Sequence, residues 1–222
     1  MKLNVPLIRQ DKNSFDCGLA CLSMILKYYG EDINISELKK VIKIYTGVGS
    51  YVPQLGEYLL KKGFEVEIVT MNPFIFTEKS KEKNQEELIS YFQELYDKTD
   101  KDKFKVPAKF FKEFIERGGK VKIKIPEVSD IREEITAGRP VGSLLTSNFL
   151  LGKSPKFNFH FNIITGIDKE FIYVNDPMED YRGGKHKYKI EEFMYAIYAS
   201  AYGDIDNAAL LKVKKVLKAE KN

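Results

Sequence analysis

Tryptophan is absent from this 222-residue chain, and cysteine and histidine occur only twice each. Two cysteines exclude a disulfide scaffold and a four-cysteine zinc site. Any thiol or imidazole chemistry must therefore come from Cys17, Cys21, His160 and His186. An excess of one charge is also missing. The 36 basic and 32 acidic residues leave +4, too balanced for a surface that holds nucleic acid chiefly by charge. No run nears the roughly 18 apolar residues of a membrane span. The opening MKLNVPLIRQ has a short apolar stretch broken by Pro6 and lacks the small-residue cleavage site of a signal peptide. These absences set the expectation of a soluble, cytoplasmic protein. What is plentiful is bulk: fifteen Phe and thirteen Tyr in a 43% hydrophobic composition exclude disorder and allow a sizeable core.

Residues 15–29, FDCGLACLSMILKYY, are apolar almost all round and predict a buried helix ended by Gly30. Asn34 with Glu37 has the spacing of a capping box and predicts a second helix over 36–45. The loop TGVGS (46–50) leads to a third helix at 53–62, and FEVEIVT (64–70) alternates as a strand. The character changes over 71–118, where charge is dense and Leu88, Tyr91, Phe92 and Leu95 keep helical spacing. This stretch reads as a helical insertion or subdomain whose interleaved lysines and acids form a solvated face. Beyond it, KVKIKI, PVGSLLT, FNFHFNII, EFIYVND and ALLKVKK predict strands, with helices at 128–138 and 190–198. Helices first and an antiparallel sheet second make an α+β layout.

Cys17 lies just inside the start of the first helix, where unpaired N–H groups and the helix dipole favour a thiolate. Gly18 leaves the sulfur approachable. Position alone leaves two readings open, a reactive thiol or a small core residue. Cys21, one turn deeper among Leu22, Ile25 and Leu26, reads as structural. In FNFHFNII, Phe157, Phe159, Phe161 and Ile163 share one strand face, and Asn158, His160 and Asn162 share the other. The polar face is expected to open to a cleft or to solvent, so His160 is either a site residue or an ordinary exposed histidine. The next strand ends at Asp176. If the hairpin centres on Asp168, residues whose numbers sum to 336 face each other and Asp176 stands opposite His160. A two-residue loop at Asp168–Lys169 would put them on opposite faces. Together Cys17, His160 and Asp176 would form a triad of nucleophile, base and orienting acid. The Cys17 N–H and the Gln10 side-chain amide, seven residues upstream, are available as oxyanion donors. A zinc site from Cys17, Cys21 and His160 lacks the usual ligand spacing. Gly183-Gly184 reads as a turn, and His186 between two lysines as surface.

VPLIRQ…FDCGLACLSMILKYYG and HFNIITGIDKEFIYVNDP resemble the C39 and C39-like cysteine peptidases, a family of papain-like fold. The resemblance implies that Gln10 is the oxyanion amide, Cys17 the nucleophile, His160 the base and Asp176 the orienting acid. It also places GVGSY (47–51) beside the cleft. It further implies one peptidase domain over 1–222, with N-terminal helices packed on a C-terminal antiparallel sheet and 71–118 as a charged helical insertion. The expected activity is hydrolysis of a peptide or amide bond through an acyl-enzyme on Cys17. No metal or organic cofactor is implied, and the expected partner is a peptide or protein substrate. Two other functions use the same residues: an acyl or γ-glutamyl transferase, and a peptide-binding module without turnover.

Overall fold

The apolar segments come together around one mixed sheet. The computed structural model describes residues 1–152, 159–180, 182–201 and 206–216. Along the chain run α1 (Cys17–Tyr28), α2 (Ile35–Leu38), α3 (Val52–Lys61), β1 (Phe64–Thr70), a 3₁₀ turn, α4 (Gln85–Lys98), α5 (Asp102–Glu116) and β2 (Lys120–Ile123). They are followed by α6 (Val128–Thr136), β3 (Val141–Thr146), α7 (Ser147–Leu150), β4 (Phe159–Ile167), β5 (Phe171–Asp176), β6 (Gly184–Lys189), α8 (Ile190–Ala199) and β7 (Ala209–Lys215). Phe157 and Asn158 of the predicted strand lie outside the described residues. The strand order is β2-β1-β7-β3-β4-β5-β6. Only the β1–β2 pair is parallel among these neighbours.

Helix α1 is buried from Gly18 to Leu26, as its nearly unbroken apolar sequence requires. Gly30, at φ +91°, ends it. The Gly30 N–H bonds the Lys27 carbonyl and the Glu31 N–H bonds that of Leu26, a Schellman closure. The Asn34–Glu37 capping box forms, but α2 stops at Leu38 instead of running to Tyr45. Tyr45 instead exchanges backbone bonds with Gly49 at 2.8 and 2.7 Å, closing the glycine loop that borders the site.

The sheet is covered on both faces. Helices α1 to α5 pack on one side, with Phe161, Ile163, Leu211 and Val213 beneath them. On the other side α6 and α8 cover Leu145, Ile164, Ile172 and Leu210. Adjacent apolar pairs such as Leu144–Leu145 and Ile163–Ile164 reflect this two-sided burial. The sheet also begins earlier in the chain than the helices-then-sheet layout suggests, because β1 and β2 form its edge beside β7. The charged stretch contributes to the core: Leu88, Phe92, Ala108, Phe111 and Phe114 are fully buried in the same cluster as α1. Phe92 and Phe111 stack at 4.9 Å. Gly56 and Gly119 leave room for the Phe114 ring, which a Cβ at either position would strike. No helix among the described residues is long and apolar enough to cross a membrane.

Candidate active site

Cys17 is the first residue of α1 and lines a cleft of about 380 Å³. Asp16 precedes it at the cap position but makes no side-chain capping bond. Its buried carboxylate instead pairs with Lys39 at 2.6 Å, so no side chain at the cap competes with the sulfur for the first N–H groups of the helix. The N–H groups of Gly18 and Phe161 point to the sulfur, and the His160 ring is hydrogen-bonded to it. Gly18 packs closely, because a Cβ there would displace the Ser50 hydroxyl and crowd Leu55 and Phe161.

His160 comes from β4. Its Nε2 lies 2.9 Å from Asp176 Oδ1, which leaves Nδ1 for the sulfur. The imidazole is buried, with 4% exposure, and so is Asn162 at 2%. Of the two expectations for this face, cleft or solvent, His160 meets the first, since it lines the cleft although little of it is exposed. Asp176 and Cys17 enclose the ring.

The hairpin register also differs from the expected one. Next to the turn, Ile167 faces Ile172 and Gly166 faces Tyr173, a sum of 339. An odd sum alone would place His160 and Asp176 on opposite faces. A bulge at Thr165 adds one residue to β4, and beyond it Ile164 faces Val174 and Ile163 faces Asn175, a sum of 338. Parity is thereby restored. Asp176 lies one diagonal step from His160 instead of directly opposite, still within hydrogen-bond reach.

Burial by itself raises the Cys17 thiol. The His160 hydrogen bond and charge, helped by the Phe161 and Gly18 N–H groups, outweigh it and leave the thiol below its usual value. Burial likewise opposes charge on His160, but the bonds to Asp176 and Cys17 win and push its pKa up to about 10. The two shifts favour a thiolate–imidazolium pair. Cys21 is buried, and its thiol is raised well above the ordinary value, first by burial and then by the charges of Cys17 and Asp176. It is a core residue.

Gln10 reaches the same cleft and is buried at 8% exposure. Its Nε2 donates to the Ser14 carbonyl at 3.1 Å. Its Oε1 has no hydrogen-bond partner among the described residues. His186 is not brought to the cleft; its Nε2 faces the Arg182 carbonyl at 2.9 Å. Gly183 lies in a tight turn, its N–H bonded to the Asp180 carbonyl at 3.1 Å. No group of three or more His, Cys, Asp or Glu among the described residues is placed to hold a metal.

Gly47, Val48 and Ser50 line the cleft, as the resemblance implied for this loop. Asp206 and Asn207 line it as well and escaped the sequence reading. Asp206 Oδ2 accepts the Val52 N–H at 2.8 Å, so it caps α3 from 154 positions away. Only the acid just ahead of the last strand hinted at this role.

A family model described as the Peptidase_C39 like family matches residues 2–206. The chain belongs to the C39-like peptidase family. Two solved structures resemble this C39-like chain at a TM-score of 0.50. One, at 17% identity, is a double glycine motif protease from an AMS/PCAT transporter in complex with the leader peptide; the alignment covers 97% of this chain and 94% of that one. The other, at 14% identity, is the peptidase domain of Streptococcus ComA, a bifunctional ABC transporter of a quorum-sensing pathway, covering 96% and 100%. At such identities the likeness is one of fold, the papain-like α+β fold of C39 peptidase domains. A comparison with curated proteins gave no significant match.

Proposed function

We propose that this protein is a cysteine peptidase that cleaves a peptide bond through an acyl-enzyme on Cys17. The observation that carries the reading is the continuous line from the Cys17 thiol through the His160 ring to the Asp176 carboxylate, with the thiol lowered by its partner. The Cys17 thiolate attacks the scissile carbonyl carbon, the C–S bond forms, and the carbonyl π electrons move to oxygen. The Cys17 N–H and Gln10 Nε2 meet that oxyanion. Nε2 carries two protons, and one on the Ser14 carbonyl leaves the other for the oxyanion. When the carbonyl re-forms and the C–N bond breaks, His160 protonates the departing amine. Water, deprotonated by His160, then attacks the thioester carbonyl carbon; the C–S bond breaks, the acid departs, and the Cys17 thiolate is left beside a His160 ring that keeps the water's proton. Asp176 holds the ring in one orientation and stabilises its charge.

The proposed substrate is a peptide with small residues before the scissile bond, by analogy with the double glycine motif of the structural relative. Sequencing of new N-termini in a peptide library incubated with the protein tests the activity. Cleavage at a small-residue pair is expected; a library left intact by protein whose Cys17 remains fully titratable contradicts it. Product diverted to added amines would show transfer competing with hydrolysis. Gln10→Ala is expected to lower kcat by roughly ten- to a thousandfold with little change in KM, as loss of an oxyanion donor does. Steady-state kinetics on the identified peptide check this, and an unchanged kcat would remove Gln10 from the oxyanion role.

A further inference from the structure

One peptide group joins the two sides of the site. The Pro177 carbonyl accepts the Gln10 N–H at 2.7 Å. In the same planar unit, the Met178 N–H donates to Asp176 Oδ1 at 2.9 Å. That carboxylate oxygen is also the one facing His160 Nε2. A rotation of this single plane therefore disturbs the residue bearing the oxyanion amide and the acid behind the histidine together.

Arg9 holds the next peptide unit of the same turn, Met178–Glu179. Its Nη1 donates to the Met178 carbonyl at 2.7 Å and to the Asp180 carbonyl at 3.0 Å. Arg9 has no ion pair with a carboxylate among the described residues, and its Nη1 bonds these two carbonyls. Both bonds come from Nη1, whose two N–H directions are fixed in the guanidinium plane, whereas those of an ammonium rotate. Gly183 closes the same turn: a Cβ there would collide with the Met178 carbonyl and press on Arg9 Nη1.

We propose that Arg9 is a positioning residue, clamping the 177–180 turn so that Gln10 and Asp176 stay aligned on the Cys17–His160 pair. The proposal deepens the peptidase reading and rests on the roles given there to these residues. Arg9 touches no reacting atom. Its effect passes across Met178, from the carbonyl that Arg9 holds to the N–H bonded to Asp176, and Asp176 and Cys17 are the charged groups facing His160.

The chain has two histidines, so the ring signals of His160 can be followed by NMR and assigned with His186→Gln. The parent, Arg9→Ala and Arg9→Lys proteins are titrated while melting temperatures are recorded. Arg9→Ala is expected to lower the His160 midpoint on the order of one unit and to slow Cys17 alkylation at pH 6 by about threefold to tenfold. Arg9→Lys, which keeps the charge and one donor nitrogen but not the fixed N–H directions, is expected to shift less. A His160 midpoint unchanged in the folded variants overturns the clamp, whatever the melting temperature does. If Arg9→Ala fails to fold, Arg9→Lys decides by the same midpoint. Because this readout needs no substrate, the two ideas fail separately. A parent protein that never cleaves a peptide contradicts the peptidase reading, whereas the shift between parent and variant alone judges Arg9.

Discussion

Cys17→Ala is expected to reduce peptide turnover by about 10⁴-fold or more, to the level of uncatalysed hydrolysis plus whatever binding and the oxyanion donors supply. Among the described residues, Cys21 and Ser50 are poor replacements for the sulfur. Cys21 is one turn deeper in a dry core with its thiol raised well above the ordinary value. Ser50 has a hydroxyl packed against Gly18 and no hydrogen-bond partner among the described residues, so no base is placed to activate it. The fold should survive the change. Cys17 is only partly buried at the first position of α1, and alanine is a good helix former. The expected melting temperature is within about 4 °C of the parent, and the variant should still bind substrate peptide. Progress curves with circular dichroism melts check both halves; retained turnover in a folded Cys17→Ala protein would remove Cys17 from the chemistry.

His160→Ala is expected to cost about 10² to 10⁴ in kcat/KM, the span associated with loss of a general acid–base group. It should also silence the nucleophile. Of the influences on Cys17, burial is the largest and raises the thiol, and it is offset chiefly by the His160 hydrogen bond and charge. With the ring gone, burial prevails and the thiol titrates above its ordinary value near 9.0. Asp176→Asn should do less damage, since the asparagine amide can still orient the ring while its charge stabilisation is lost. Stopped-flow alkylation and peptide kinetics on the two variants test this order. Equal losses in both, or none in His160→Ala, contradict the assigned roles.

Most of the helix and strand framework was legible because burial pattern and period agree there. α1 is apolar all round and lies inside; β1 alternates and was placed correctly to the residue. Whether His160 and Asp176 share a face stayed open in the sequence, since it hung on the turn, and the register that puts them together was not legible. It depends on a bulge at Thr165, and alternation carries no signal for an extra residue that twist and pairing absorb. β6, GKHKYK, was missed because an edge strand bonded on one side only can be rich in lysine and poor in apolar residues. α2 stopped early because the Tyr45–Gly49 bridge competes for its expected last residue. His160 lines the cleft, as one of the two expectations had it, and is largely enclosed there. A polar strand face can be buried when its own groups satisfy one another, and here the partners are Asp176 and Cys17. The contacts of Arg9 and Gln10 with the 177–180 turn were beyond sequence reading altogether, because the Arg9 side chain and the Gln10 N–H meet carbonyls from the far end of the chain, in the case of Arg9 and Met178 169 positions away.

The account turns on Cys17 being a thiolate held by His160 at neutral pH, and the pH dependence of Cys17 alkylation by iodoacetamide measures that directly. The rate should rise as pH climbs through the lowered pKa of Cys17 and reach its plateau well below 9.0, the ordinary thiol value. Peptide turnover, by contrast, should fall again as pH passes about 10, where His160 loses the proton it must give to the leaving amine. In His160→Ala the alkylation limb should move to the far side of 9.0. A parent protein whose Cys17 titrates at or above that value, with a profile unchanged by His160→Ala, would contradict the account.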